Sequence, residues 1–249
     1  MSSHFQYILL LADNPLVLGH RLSELCGHGP GLETDIALTN ISLDLFGQVR
    51  HYLQYAARVQ DAGKTEDDLA FLRYEHEYRN CRLVEQPNTD FAWVVLRQYL
   101  FDAYHLPLLE QLCGSRDPEL AGIAAKSLKE VRYHHRFSSG WVKRLGDGTE
   151  ESHDRIQAAL QVLYTYTGGL FEETTWEKEM ADSGIGVSLP GLRPAYDQDL
   201  AAVFAEAGLS AEGLTAGQTG GKRGIHSEHM GFMLAQLQYM QRAYPGMQW

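Results

Sequence analysis

Apolar residues recur at helical spacing through long, proline-poor segments of this chain, and strand-like alternation is hard to find anywhere in its 249 residues. Side chains three and four apart share one face of an α-helix, so this period restricts the chain to architectures made by packing helices on helices. The first segment runs from about Phe5 to Cys26, bends at Asn14-Pro15 and stops at "CGHGPG". The second, Glu33 to about Gln60, carries Ile36, Ile41, Leu45, Val49 and Tyr52 and reads as a central helix, apolar on most sides. A charged helical piece, "DLAFLRYEHEYRN", follows. Then "EQPNTD" offers Thr89 or Asp90 as the cap of a third helix, buried nearly all round and kinked at Pro107.

The fourth helix is signalled at both ends. Asp117 is its N-cap, Pro118 its first residue and Glu119 lies in its first turn, while "LGDG" ends it. Leu120, Ala124, Ser127, Val131, His134, Ser138, Trp141 and Leu145 form its inner stripe. A fifth helix is expected over Glu151 to Ala181, a short one over Pro194 to Ala207 and a last one over Ser227 to Tyr244. Four central helices each longer than about twenty residues define an all-α fold, a four-helix bundle with additional C-terminal helices, in a single domain over 1–249.

Composition limits what such a bundle can do. Apolar residues make up 44% of the chain, enough for a packed core, and the formal charge is −11. With a pI near 5.4, an acidic surface excludes nucleic acid and anionic membrane as main partners. Cys26, Cys81 and Cys113 form no C-x-x-C pair, which excludes a cysteine zinc site and fits a reducing cytoplasm. "MSSHFQYILLLADNP" lacks a basic leader and a small-x-small cleavage site, and no run reaches the ~18 apolar residues of a membrane span.

A bundle that activates oxygen with two irons takes a carboxylate from each of two helices and Glu-x-x-His from the other two. Only two acidic residues here have a histidine three positions on. Glu150 with His153 lies at a helix start and reads as surface charge. Asp102 with His105 lies in "LRQYLFDAYHLPLLEQL", among Tyr99, Phe101, Tyr104 and Leu106, with Gln98 on the same face. On the second helix Asp44 is followed at the third position by Gly47, which has no donor. On the fourth, His134 is preceded there by Val131, and Glu130 stands four residues from His134. Asp44, Asp102, His105, Glu130 and His134 are therefore vestigial di-iron positions: the set is broken on two helices, no residue reads as catalytic, and no metal or cofactor is expected on this chain. Buried carboxylates without metal need partners, and the expected ones are His105, His134 and a basic residue such as Arg97, Lys126 or Lys129 crossing the bundle.

Other chemistries fit less well. "GQTGGKRG" fails the phosphate-loop pattern, since Arg223 stands where Ser or Thr would bind magnesium, and no G-x-S-x-G elbow occurs. His226, Glu228 and His229 in "IHSEHMG" read as capping and interface hydrogen bonds. Lys222 and Arg223, in what reads as a flexible loop, could meet an anion or an acidic partner, but two basic residues do not define a site.

The stretches "LADNPLVLGHRLSELCGHGP", "DIALTNISLDLFGQVRHYLQYAA", "LVEQPNTDFA", "RQYLFDAYH", "SRDPELAGIAAKSLKEVRYHHRFSSGWVKRLGDGT" and "TGGKRGIHSEHMGFMLAQLQYMQRAYPGMQW" span nearly the whole chain. Together they resemble the PaaC family, the C subunits of the multicomponent oxygenase that epoxidises the ring of phenylacetyl-CoA. The resemblance implies a ferritin-like fold and a structural subunit that has lost its iron ligands. The implied partners are a homologous catalytic A subunit that holds the di-iron centre and binds the CoA thioester, a small B subunit and, transiently, a flavin and iron-sulfur reductase. The broad apolar coverage of the second and third helices is expected to supply a wide face buried against the catalytic subunit, and in isolation the same face could support a homodimer. The competing reading is an autonomous di-iron or mononuclear iron oxygenase using the same five residues; a ferritin-type storage protein has only the fold in its favour.

Overall fold

The structure, a computed structural model, describes residues 2–247. Its long helices are α1 (Ser3–Ser23), α2 (Leu32–Gln60), α4 (Phe91–Leu112) and α5 (Pro118–Gly146), with the short α3 (Glu66–Phe71) between α2 and α4. Each is delimited by the local chemistry of its ends. Ser2 caps α1 by accepting from the Phe5 N–H, and Asp90 caps α4 by accepting from the Trp93 N–H at 2.9 Å. Asp117 Oδ1 takes the N–H groups of Glu119 and Leu120, two of the donors that the first turn of α5 leaves without helical partners. Its Oδ2 receives the hydroxyl of Tyr55 from α2 and lies 3.0 Å from the imidazole Nε2 of His4 on α1, so one carboxylate caps a helix and meets two others.

Packing follows apolar coverage. Every residue of α1 from Phe5 to Gly19 is buried, as is every residue of α4 from Val94 to His105. These two are the inner helices. α2 lies along α1 and α5 along α4, and α2 also meets α5. One continuous apolar cluster joins the four and extends into the later helices. The described residues contain no strand, and the fold is an all-α, ferritin-like helical bundle. None of the described helices is long and apolar enough to cross a membrane.

Several boundaries differ from expectation. α2 is not apolar on all sides: Leu32, Ile36 and Leu43 face outward at 72, 51 and 62% exposure. The charged piece after residue 65 is helical only to Phe71, and short 3-10 turns at Glu75–Glu77 and Arg82–Glu85 follow. Side chains of α1 divert this segment. Asp13 binds the Arg73 guanidinium and the Arg79 N–H, and Asn14 Oδ1 takes the Cys81 N–H at 2.8 Å.

The expected fifth helix is likewise two, α6 (Glu150–Leu163) and α7 (Thr175–Asp182), separated by a 3-10 stretch at Tyr164–Leu170. Gly168 fixes that break, because a Cβ there would stand 2.1 Å from the carbonyl oxygen of Ala216. Thr174 and Glu177 then form a reciprocal capping box that restarts the helix. α8 (Leu189–Ala207) begins before Pro194 and stops at Gly208, φ +67°. The last expected helix divides into α9 (Glu228–Leu237) and α10 (Tyr239–Ala243) at Gln238, whose side chain donates to the Arg73 carbonyl and the Tyr78 hydroxyl.

Replacing Asp117 by Ala removes the cap and leaves the Tyr55 hydroxyl without its acceptor. A loss of about 2 kcal/mol in urea-denaturation stability at unchanged m-value is expected.

Candidate functional site

The centre of the bundle, where α2, α4 and α5 bring together the acidic and imidazole residues singled out above, is the place to look for chemistry. Asp102 is fully buried. Its Oδ2 accepts the Ser138 hydroxyl from α5 at 2.7 Å, and its Oδ1 accepts the amide N–H of Gln98, one turn back on α4, at 2.8 Å. Both donors are neutral. Burial therefore dominates and pushes the Asp102 carboxyl up to about 6, against the nearby imidazole of His134 and the Ser138 hydrogen bond.

His105 is buried beside the Phe101 ring, 4.9 Å between centroids. Burial, with His134 adding to it, pushes this imidazole down to about 3, so it stays neutral, and its Nδ1 has no hydrogen-bond partner. His134 donates from Nε2 to Asp44 Oδ2 at 3.0 Å, which fixes the tautomer and leaves Nδ1 without a partner. Asp44 is 35% exposed while His134 is fully buried, so the pair reaches from the interior to the rim. Glu130 accepts the amide of Gln48 at 3.3 Å from its own partly exposed position. Four of the five residues thus fall into three separate pairings, and His105 packs without one.

The expected basic crossing is not found. Arg97 is buried, but it donates to the Gln86 carbonyl and to Asn88 Oδ1. Burial lowers its guanidinium to about 9, with Arg21 contributing. Lys126 meets His51 Nε2 at 2.8 Å, and Lys129 points to solvent. Asp102 is satisfied by neutral donors because Gln98 and Ser138 already stand within reach on the two helices that bury it.

Two irons do not fit these residues. Val131 is fully buried where the second carboxylate would stand. Both oxygens of Asp102 are engaged by donors that a cation would have to displace. Gly47 is exposed, and a Cβ placed on it meets nothing within 4 Å. A histidine there would face outward. Among the described residues no three His, Cys, Asp or Glu side chains are grouped to hold a metal ion.

Glu228 is exposed in the first turn of α9, and His229 offers its backbone carbonyl to Arg21 Nη2 at 3.3 Å. Glu150 is exposed at the start of α6, and His153 bonds the Gly146 carbonyl at 2.8 Å. His226 stands between Glu85 Oε1 at 2.6 Å and the Tyr78 carbonyl at 3.2 Å. Ser227 closes on Glu85 Oε2 through both its N–H and its hydroxyl, so this cluster pins the chain before α9 onto the Arg82–Glu85 turn. Lys222 meets no external anion: it is buried against Glu177 Oε1 at 2.7 Å and the carbonyls of Leu170 and Glu172, while Arg223 pairs with Glu172. One further cluster follows no sequence spacing. Asp199 of α8 accepts from Tyr99 of α4 at 2.9 Å and from His135 of α5 at 2.8 Å, a meeting of three helices that no local pattern signals.

The fold defines an all-α, ferritin-like helical bundle. The chain belongs to the phenylacetic acid catabolic protein family (PaaA_PaaC), which it matches over residues 1–249. It is 49% identical over 243 residues to the C subunit of the 1,2-phenylacetyl-CoA epoxidase of Escherichia coli (strain K12), a match covering 98% of this chain and 98% of that protein.

The state of Asp102 has a measurable consequence. Between its ordinary value of 3.8 and about 6, the native state holds a proton that the unfolded state has released. Its contribution to stability is therefore complete below the lower value and is lost as pH rises through the upper one. Asp102→Asn keeps the shape and removes the charge forced on the interior above that range. The variant is expected to exceed the wild type by on the order of 1–3 kcal/mol at pH 8, with the gain vanishing by about pH 4, in urea titrations across pH. A loss at pH 8 would mean that the carboxylate holds a cation there.

Proposed function

We propose that this chain is the non-catalytic C-type subunit of a phenylacetyl-CoA ring-epoxidising oxygenase, a helical scaffold that binds and stabilises a homologous catalytic A subunit. Its whole length, 1–249, acts as one folded unit in the cytoplasm. The di-iron centre and the CoA thioester belong to the A subunit on this reading, with a small B subunit and a reductase completing the system, and no residue of this chain takes part in the chemistry.

The observation that carries the proposal is the end-to-end match to the C subunit of a 1,2-phenylacetyl-CoA epoxidase. The bundle centre supports it. Its carboxylates are satisfied by Gln98, Ser138, Gln48 and His134, an arrangement suited to holding the fold and not to binding oxygen or an acyl-CoA. Of the five vestigial positions, Asp102 and His105 contribute to packing, and Asp44 with His134 joins α2 to α5.

Two measurements test this. The chain purified alone should contain iron far below one equivalent and show no oxo-bridged di-iron absorption. Co-expressed with the A subunit it should co-elute on sizing, and leaving it out should abolish epoxidation of phenylacetyl-CoA by the remaining components. Stoichiometric iron on the isolated chain would favour an autonomous oxygenase.

A further inference from the structure

α2 and α5 together present a surface that an isolated acidic protein has no reason to keep. On α2 the outward stripe is Leu32, Ile36, Asn40, Leu43, Gly47 and Arg50, all exposed and at helical spacing. A solvent face would ordinarily carry charge, and here three large aliphatic side chains and a glycine take its place. Gly47 leaves open space that lets another backbone approach.

Beside this stripe, α5 is cationic. Between Lys126 and Arg144 it carries six Lys or Arg and one acid, Glu130, in a chain whose net charge is −11. Arg132 and Lys143 are paired with Glu110 and Glu206. Arg136 and Arg144 have no carboxylate partner among the described residues; each lies over a ring, Arg136 over Tyr133 and Arg144 over Trp141 at 5.3 Å. The rings hold the two guanidinium groups out over a cleft of about 470 Å³ between the helices, lined also by Ala37, Phe137 and Gly140. Glu33 is the carboxylate on its rim, and among the described residues no ion pair joins it to either arginine.

We infer that this α2/α5 face is where the partner subunit docks, and that the partner presents there a helix with carboxylates opposite Arg136 and Arg144 and apolar side chains against Leu32, Ile36 and Leu43. The inference rests on the reading of the chain as an oxygenase subunit and adds which face is used and with what chemistry. Charge complementarity decides the occupant. A second copy joined through the same patch by a twofold axis would set the α5 cations against one another, whereas an acidic helix neutralises them. A small anion would leave the exposed aliphatic stripe uncovered. The other apolar patch, with Phe232, Tyr239 and Met240 exposed on α9 and α10, has only Arg242 in the last turn and no comparable cationic row.

The full chain co-expressed with the A subunit provides the test, with Arg136→Glu/Arg144→Glu as the main variant, Ile36→Asp as a second and Phe232→Ser/Met240→Ser as the comparator. All three should keep the wild-type helical circular dichroism and melt within a few degrees of it, since every altered side chain is largely solvent-facing. The arginine variant should weaken association with the A subunit at least ten-fold at low salt, and added salt should then raise its affinity where it lowers that of the wild type. Ile36→Asp should weaken it while keeping the salt dependence, and the comparator should bind as the wild type does. Wild-type affinity for the arginine variant, or loss of binding only in the comparator, overturns the assignment of the face. A wild-type homodimer broken by Ile36→Asp overturns the choice of occupant. If the wild-type chain fails to bind the A subunit at all, the subunit reading itself falls and the docking face with it.

Discussion

Helices α1 and α4 have almost no solvent face, and the rest of the molecule is arranged around that fact. A polar side chain on either helix can find a partner only inside the protein, where an unsatisfied buried group costs about 1–3 kcal/mol and a lone buried charge far more. Asp13, Asn14, Arg97 and Asp102 are such groups. Asp13 and Asn14 hold residues 73–81, and Arg97 holds Gln86 and Asn88. The irregular chain between α3 and α4 is thus shaped by side chains of the helices it covers. It runs through the protein as a series of answers to buried donors and acceptors, which explains why so long a stretch has little regular structure and yet is substantially buried.

The same logic fixes the C-terminal third. Glu85 and Glu177 are buried carboxylates on otherwise short elements, and the chain around residues 218–227 supplies Lys222 to one and His226 with Ser227 to the other. Removing one member of such a pair strands a charge, at a cost of about 3–5 kcal/mol, although the intact pair is worth much less than that relative to an apolar replacement. These contacts therefore act on specificity more than on net stability, choosing where the glycine-rich segment lies. Gly224, at φ +81°, completes the choice: a Cβ there would stand 2.2 Å from the His76 carbonyl oxygen.

How much of this is legible in the sequence depends on range. The four long helices, the caps at Asp90 and Asp117 and the buried character of α4 follow from spacing and end chemistry within a few residues, which a linear reading captures. The interruption at Tyr164–Leu170 depends on Ala216 lying against Gly168, and the fate of Lys222 depends on Glu177, contacts between segments far apart in sequence. At the bundle centre the residue types are readable but their pairing is not. Gln48 belongs to no motif, since an amide carries none, yet it satisfies Glu130. Asp102, as a buried acid, reads as needing a cation. A hydroxyl and an amide suffice, because burial raises the carboxyl enough that its neutral form becomes accessible near pH 6.

The two sides of α2 are committed differently. In α2 the inner side remains committed to α1, with the Ser42 hydroxyl on the Gly19 carbonyl and Phe46 close against Gly19. The outer stripe has no such commitment inside the chain. Burying a large aliphatic side chain yields about 1.5–3 kcal/mol, so Leu32, Ile36 and Leu43, already partly covered, offer several kcal/mol to a partner. That alone does not offset the ~4–15 kcal/mol of lost rigid-body freedom on association. The aromatic-backed guanidinium groups of α5 supply what is missing, adding directed hydrogen bonds and a favourable field at the same surface. Either half alone would bind weakly, and a docking surface of this kind needs both on adjacent helices, which is where the bundle places them.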